Sequence, residues 1–402
     1  MPDGAYHRDR ITWAAFAALL AFGFANAALG PALPYLREAQ GSSYLVGALH
    51  QAAYALGGGA AGLLAARERR SAHRGAVIAG GLGGAALAGL AIGYGPSPAV
   101  TIAGALAMSF LGTSALIRVW AVLADVHGDR RAIAMSEGEV AVSLAGILTP
   151  LVIGAFAATA LQWRFAFIAG ALATWLAALW VTRTPMPPAR AQRRGDGDDR
   201  DPAADRPGVE ATLVIVFAIV ALEFSLSFWL ASYLTDDVGL GRGTAAAAVS
   251  GLYAAHLAGR VATSRLARRT DASRLLRAAL VAALAGTPIL LAATGAPVAA
   301  AGVAVTGIGI GALFPLTSAL HLRASRHHAD KALGEVLSVA ALGQLAGPLL
   351  AGAIAQAAGL RTGLVVLPVF VLVALAAHGR RGIAPRRGSL DAAVTASVLH
   401  DT

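Results

Sequence analysis

Predominantly apolar segments follow one another along the chain with little between them, each near the roughly 20 residues a helix needs to cross a hydrocarbon core about 30 Å thick. The pattern predicts twelve spans, at 11–35, 44–66, 75–95, 99–124, 132–160, 164–182, 210–235, 243–265, 276–294, 298–322, 332–358 and 362–378. The predicted fold class is an all-α polytopic membrane protein. Polar residues inside such spans are expensive, so each one asks for a reason. The sharpest case is VALEFSLSFWL, Val220 to Leu230, where Glu223 stands amid hydrocarbon.

Composition agrees with the pattern: 57% of residues are hydrophobic and 13% charged, against about 25% charged in ordinary soluble domains. The net charge of +10 does not point to nucleic acid, because the basic residues fall on alternate connectors. Of the 32 Lys and Arg residues, 26 lie on one side of the predicted membrane; Arg37, Arg164, Arg242 and Arg361 lie on the other, and Arg118 and Arg260 lie within spans. The positive-inside rule then puts both termini in the cytoplasm, and the plasma membrane is the expected location. The first span carries no cleavage signal and reads as retained. With no cysteine in the chain, disulfides and thiolate metal sites are excluded, and no cofactor is expected.

Residues 183–209 are rich in Pro, Asp and Arg, too polar to bury a core, and read as a disordered cytoplasmic linker between a bundle at 1–182 and another at 210–379, followed by a tail at 380–402. The two bundles repeat each other at a spacing near 198 residues. Tyr35-Leu36 aligns with Tyr233-Leu234, Tyr54 with Tyr253, Arg69-Arg70 with Arg268-Arg269, Glu137 with Glu335, Pro150 with Pro348 and Gly154 with Gly352. An even number of spans separates the copies, so the repeat is parallel, related by an axis along the membrane normal.

Twelve spans, a parallel six-plus-six repeat and a long central loop resemble the major facilitator superfamily. The loop after span two, GLLAARERR, is similar to that family's G-x-L-A-D-R-x-G-R-R signature: Gly62, Leu64, Ala65, Arg67 and Arg70 match, while Ala66 and Arg69 replace its acid and glycine. Arg118 resembles the family's buried arginine in span four. GILTPLVIG in span five only partly matches the antiporter motif, and GQLAGPLLAG, Gly343 to Gly352, matches it more closely in the other half. The resemblance implies a secondary transporter that works by alternating access. It leaves the direction of transport open.

Glu223 lies about 16 Å into its span at 1.5 Å per residue, at the depth of the midplane, and is the candidate proton site. Asn26 occupies nearly the same place in span one. Tyr253, His256 and Arg260 share a face of span eight; Tyr253 and His256, with Ser227, complete the candidate cavity groups, and Arg260 is placed with the gate and ion-pair residues. Arg260, near the cytoplasmic end, reads more readily as snorkelling than as a substrate contact. Arg118 and Glu139 fall at similar depth on consecutive spans and are a candidate ion pair, with Asp125 and Arg67 as further gate residues. Glu137, repeated as Glu335, reads as scaffold. The predicted partners are a small solute, protons and the bilayer, with no nucleic acid, and a monomer is expected. The alternatives are proton-driven efflux of amphipathic compounds and a non-transporting sensor or scaffold. No nucleophile and base set appears, so no enzyme is predicted.

Overall fold

The computed structural model describes residues 7–67, 73–128, 131–187, 206–267, 269–325 and 329–380, and the described residues are helical almost throughout. In the first half α1 spans Arg10–Gln40, α2 Tyr44–Arg67, α3 Arg74–Tyr94, α4 Pro98–His127, α5 Arg131–Ala157 and α6 Phe165–Thr182. In the second, α7 spans Arg206–Asp236, α8 Arg242–Leu266, α9 Ala272–Leu291, α10 Ala296–Ala324, α11 Ala329–Ala358, α12 Leu360–Gly363 and α13 Val366–Gly379. Several boundaries differ from expectation: α1 runs on to Gln40 and α9 starts at Ala272, before the predicted 276. The predicted span 362–378 is broken in two, because Leu364 and Val365 leave the helix between α12 and α13, and α7 begins at Arg206, before the predicted linker ends. Most of that linker, 188–205, and the tail from 381 lie outside the described residues.

Ten of the described helical segments are long and apolar enough to cross a membrane, α12 and α13 counting as one. The exceptions are α2 and α8, which carry His50, Gln51, Ser250 and His256, all buried. Their polar groups face protein, so the low hydropathy reflects what they line.

Helices α1 and α7 stand at the centre. In α7, Trp229, Leu230, Ala231 and Tyr233 are wholly buried. The outer helices α6, α9 and α13 turn Leu172, Leu176, Val281 and Leu372 outward, apolar surface that suits a lipid solvent. Since lipid gives helices no hydrophobic drive to associate, packing depends on close backbone approach at small residues. A side chain at Gly57 of α2 would collide with the Leu106 carbonyl of α4, and one at Gly259 of α8 with the Ile308 carbonyl of α10, the same joint in each half.

The halves meet along α1–α7, α5–α8 and α2–α11. Helices α1 and α7 run parallel, with Gly30 against Ser227 and Phe228 and Arg37 against Asp236. Helices α5 and α8 run antiparallel, with Gly154 against Gly243, Gly146 against the Tyr253 ring and the Ser250 hydroxyl donating to the Ile147 carbonyl at 2.7 Å. On the third seam Gly352 abuts Ala48 and Trp229.

Polar contacts between the halves gather on one face, the one opposite the start of α1 and the end of α13. Arg37 pairs with Asp236 at 2.9 Å, Tyr44 donates to the same carboxylate at 3.0 Å, and Arg242 pairs with Glu38 at 2.7 Å. On the terminal face the described polar contacts stay within each half: Arg8 with Glu137, Arg74 with Asp125, Thr12 with His127, Thr212 with His321 and His321 with Glu335. One face is latched across the halves. On the other, the polar contacts among the described residues lie within the halves.

Candidate functional site

Helix register decides which polar residues meet. Gly30 touches Ser227, so one turn toward the terminal face Asn26 stands level with Glu223 across the α1–α7 seam. Asn26 is half-buried, and none of the described hydrogen bonds involves it. Glu223 exposes 26% of its side chain and approaches the Nδ1 of His256 at 3.9 Å, within ion-pair range but too long for a direct hydrogen bond. His256 is buried, and its Nε2 has no hydrogen-bond partner. Its ring meets that of Tyr253 edge-on at 5.8 Å between centroids. Tyr253 in turn is within reach of Ser227 and in the field of Glu223, and it lies near Tyr54, its counterpart in the first half.

The antiparallel register of α5 and α8 carries the site onward. From Gly146 opposite Tyr253, two turns along each helix lead to Glu139 and Arg260. Both are exposed, and the charge of Arg260 acts on Glu139, Glu223 and His256. The Nε of Arg260 donates to the Gly311 carbonyl of α10 at 3.3 Å, which holds the guanidinium against the second half. Among the described residues no carboxylate comes within ion-pair distance of it.

This arrangement revises several expectations. Arg260 does not extend toward the terminal face as a snorkelling side chain would; it is tied inward to α10 and belongs to the central group. The anticipated pair of Arg118 with Glu139 is not among the ion pairs of the described residues. The half-buried Arg118 donates to the Ser114 carbonyl at 2.8 Å on its own helix, while the charged neighbour of Glu139 is Arg260. Matching depth on consecutive helices was an insufficient criterion, because it ignored the azimuth that turns Glu139 to the seam. Asp125 is bound to Arg74 of α3, a contact inside one half. Arg67 ends α2 exposed, and the acid beside it, Glu68, lies outside the described residues.

Two sets of residues escaped the sequence reading. Thr12 with His127, at 2.8 Å, and Thr212 with His321, at 2.7 Å, fasten the starts of α1 and α7 to the ends of α4 and α10, and their spacing follows the internal repeat. Arg164 donates to the Gly93 carbonyl at 3.0 Å and Arg361 to the Ala293 carbonyl at 2.9 Å, each satisfying the carbonyl-rich end of a neighbouring helix. With Arg37 and Arg242 in the latch, all four arginines that depart from the positive-inside bias have structural partners.

The family model described as Major Facilitator Superfamily matches residues 15–334 and 212–393. Comparison with curated proteins finds no match. Among solved structures, a bacterial homologue of the human lysosomal transporter Spinster, inward-facing and occupied, superposes with a TM-score of 0.76 at 15% identity, over 94% of this chain and 97% of the other. The nucleoside transporter NupG gives 0.72 at 12% identity, over 92% and 98%, and the human organic anion transporter MFSD10 gives 0.66 at 18% identity, over 93% and 100%.

Proposed function

Because the chain belongs to the major facilitator superfamily and is a multi-pass membrane transporter by fold, we propose that it is a secondary transporter in which a small solute and a proton share the site between the halves. The observation that carries this reading is the Glu223 to His256 approach at 3.9 Å, set at mid-membrane beside Arg260. An acid in an apolar helix has two stable conditions, neutral when sealed and charged when wetted, and alternating access exposes it to each in turn. The ion pairs that join the halves on the face opposite the termini support an inward-facing state in which the cytoplasm, on the positive-inside count, reaches the site. The bundles at 1–182 and 210–379 act as the two rocking bodies, the 183–209 linker tethers them, and the protein works in the plasma membrane as a monomer.

The test needs no known substrate. The chain has no cysteine, so paired spin labels on Ala99 and Val298, exposed positions on the latched face in opposite halves, report its opening. Lowering the pH from 8 to 5 in liposomes shifts the distance distribution of the otherwise unaltered chain, and Glu223→Gln abolishes the shift. A mutant that keeps the full pH response sinks the proton-site reading.

A further inference from the structure

We propose that the transported solute is a small organic carboxylate with an apolar or aromatic body, held by the guanidinium of Arg260; this rests on the reading above that solute and proton share the central site.

Three observations carry it. First, Arg260 is an oriented cation that has no carboxylate within ion-pair distance among the described residues. Its Nε is fixed on the Gly311 carbonyl at 3.3 Å, its side chain is open to water between α5 and α8, and no described carboxylate is within 4.0 Å although Glu139 and Glu223 are both neighbours. A guanidinium whose terminal nitrogens are free presents the planar fork that matches a carboxylate bidentately.

Second, charge must balance. The charged side chains that act on one another at the α5–α8 seam are Arg260, Glu139 and Glu223, one cation beside two acids. When Glu223 takes a proton its charge no longer competes for the Arg260 guanidinium, and a monoanionic solute can take the place of that acid beside the cation. A cationic solute between the two acids would sit in the field of Arg260, which reaches both.

Third, the surroundings suit an organic body with a polar end. The Tyr253 ring meets the His256 ring edge-on at 5.8 Å between centroids, and buried His256 keeps an unpartnered Nε2 that can donate or accept according to tautomer.

The experiment uses the full chain in nanodiscs with matched probes: phenylacetate, benzoate and octanoate, each against its amide and its amine, scored by thermal shift at pH 6 and pH 8. At least one carboxylate stabilises the protein while its amide and amine do not, and more strongly at pH 6. Arg260→Gln weakens that binding by about tenfold or more, the loss of a charge-assisted bidentate contact, and Arg260→Lys recovers part of it. The unliganded melting temperature of both variants shows that they fold. Equal stabilisation by amides or amines, carboxylate binding indifferent to Arg260→Gln, or no response to any carboxylate overturns the proposal. The two readings fail separately. Loss of the pH-driven opening with Arg260-dependent carboxylate binding intact removes the proton and keeps the anion; the reverse removes the anion alone.

Discussion

Glu139 and Arg260 show how much a single azimuth decides. Both were visible as intramembrane charges, yet Glu139 was matched by depth to Arg118, and only the α5–α8 register turns it toward Arg260 instead. Charged groups that share a field couple when mutated, while distant ones add. In a double-mutant cycle on melting temperature or carboxylate affinity, Glu139→Gln and Arg260→Gln are non-additive by about 0.5 kcal/mol or more, whereas Glu139→Gln and Arg118→Gln add within that margin. A cycle with the opposite outcome would restore the original pairing. Glu223 was visible in the sequence as a lone acid at the middle of an apolar run, and the structure sets it 3.9 Å from His256. The unpartnered nitrogen of His256 was not visible, since hydrogen-bond satisfaction is a property of neighbours that sequence spacing does not supply.

At the scale of the helices, glycine positions set how closely the halves approach. Gly30 is the tightest point of the α1–α7 seam: a side-chain carbon there would lie 2.5 Å from the Ser227 carbonyl and 3.1 Å from the Phe228 backbone. Overlap with backbone cannot be relieved by a rotamer change, so the helices must part. Gly30→Val therefore wedges the latched face, and the Ala99 to Val298 label distance lengthens at neutral pH with the overall helix content by circular dichroism unchanged. Gly59, with open space around it, tolerates the same change with no shift. Helix count and order came from the pattern of apolar runs, with one break at Leu364 and Val365 that a continuous apolar segment concealed. The repeat was legible as well: Gly154 and Gly352, aligned by sequence, fall on the two equivalent seams α5–α8 and α2–α11.

For the whole molecule, the distribution of ion pairs between the two faces defines its state. Arg37 to Asp236 and Arg242 to Glu38 are the described ion pairs that cross between halves, and their side chains are 15% and 30%, and 40% and 58%, exposed. The Arg242–Glu38 pair is open to water, so it is weak and screened by salt, while the half-buried Arg37–Asp236 pair is screened less. Removing both, with Asp236→Asn and Arg242→Gln, moves the label distance on that face toward longer values, and raising salt to about 1 M, where the screening length is about 3 Å, moves the otherwise unaltered chain the same way. An unchanged distance in both conditions would mean that the glycine seams alone close this face. The sequence by itself determined what lipid imposes locally: the number of crossings, the parallel repeat, the asymmetry of basic residues and the presence of a costly acid at the centre. These follow from hydropathy and charge summed along the chain. Which charges confront each other, which face carries the ion pairs between halves and which cation is held at the central seam were decided only by tertiary structure, because each depends on the relative rotation and register of helices far apart in sequence, and small residues allow those contacts without dictating them.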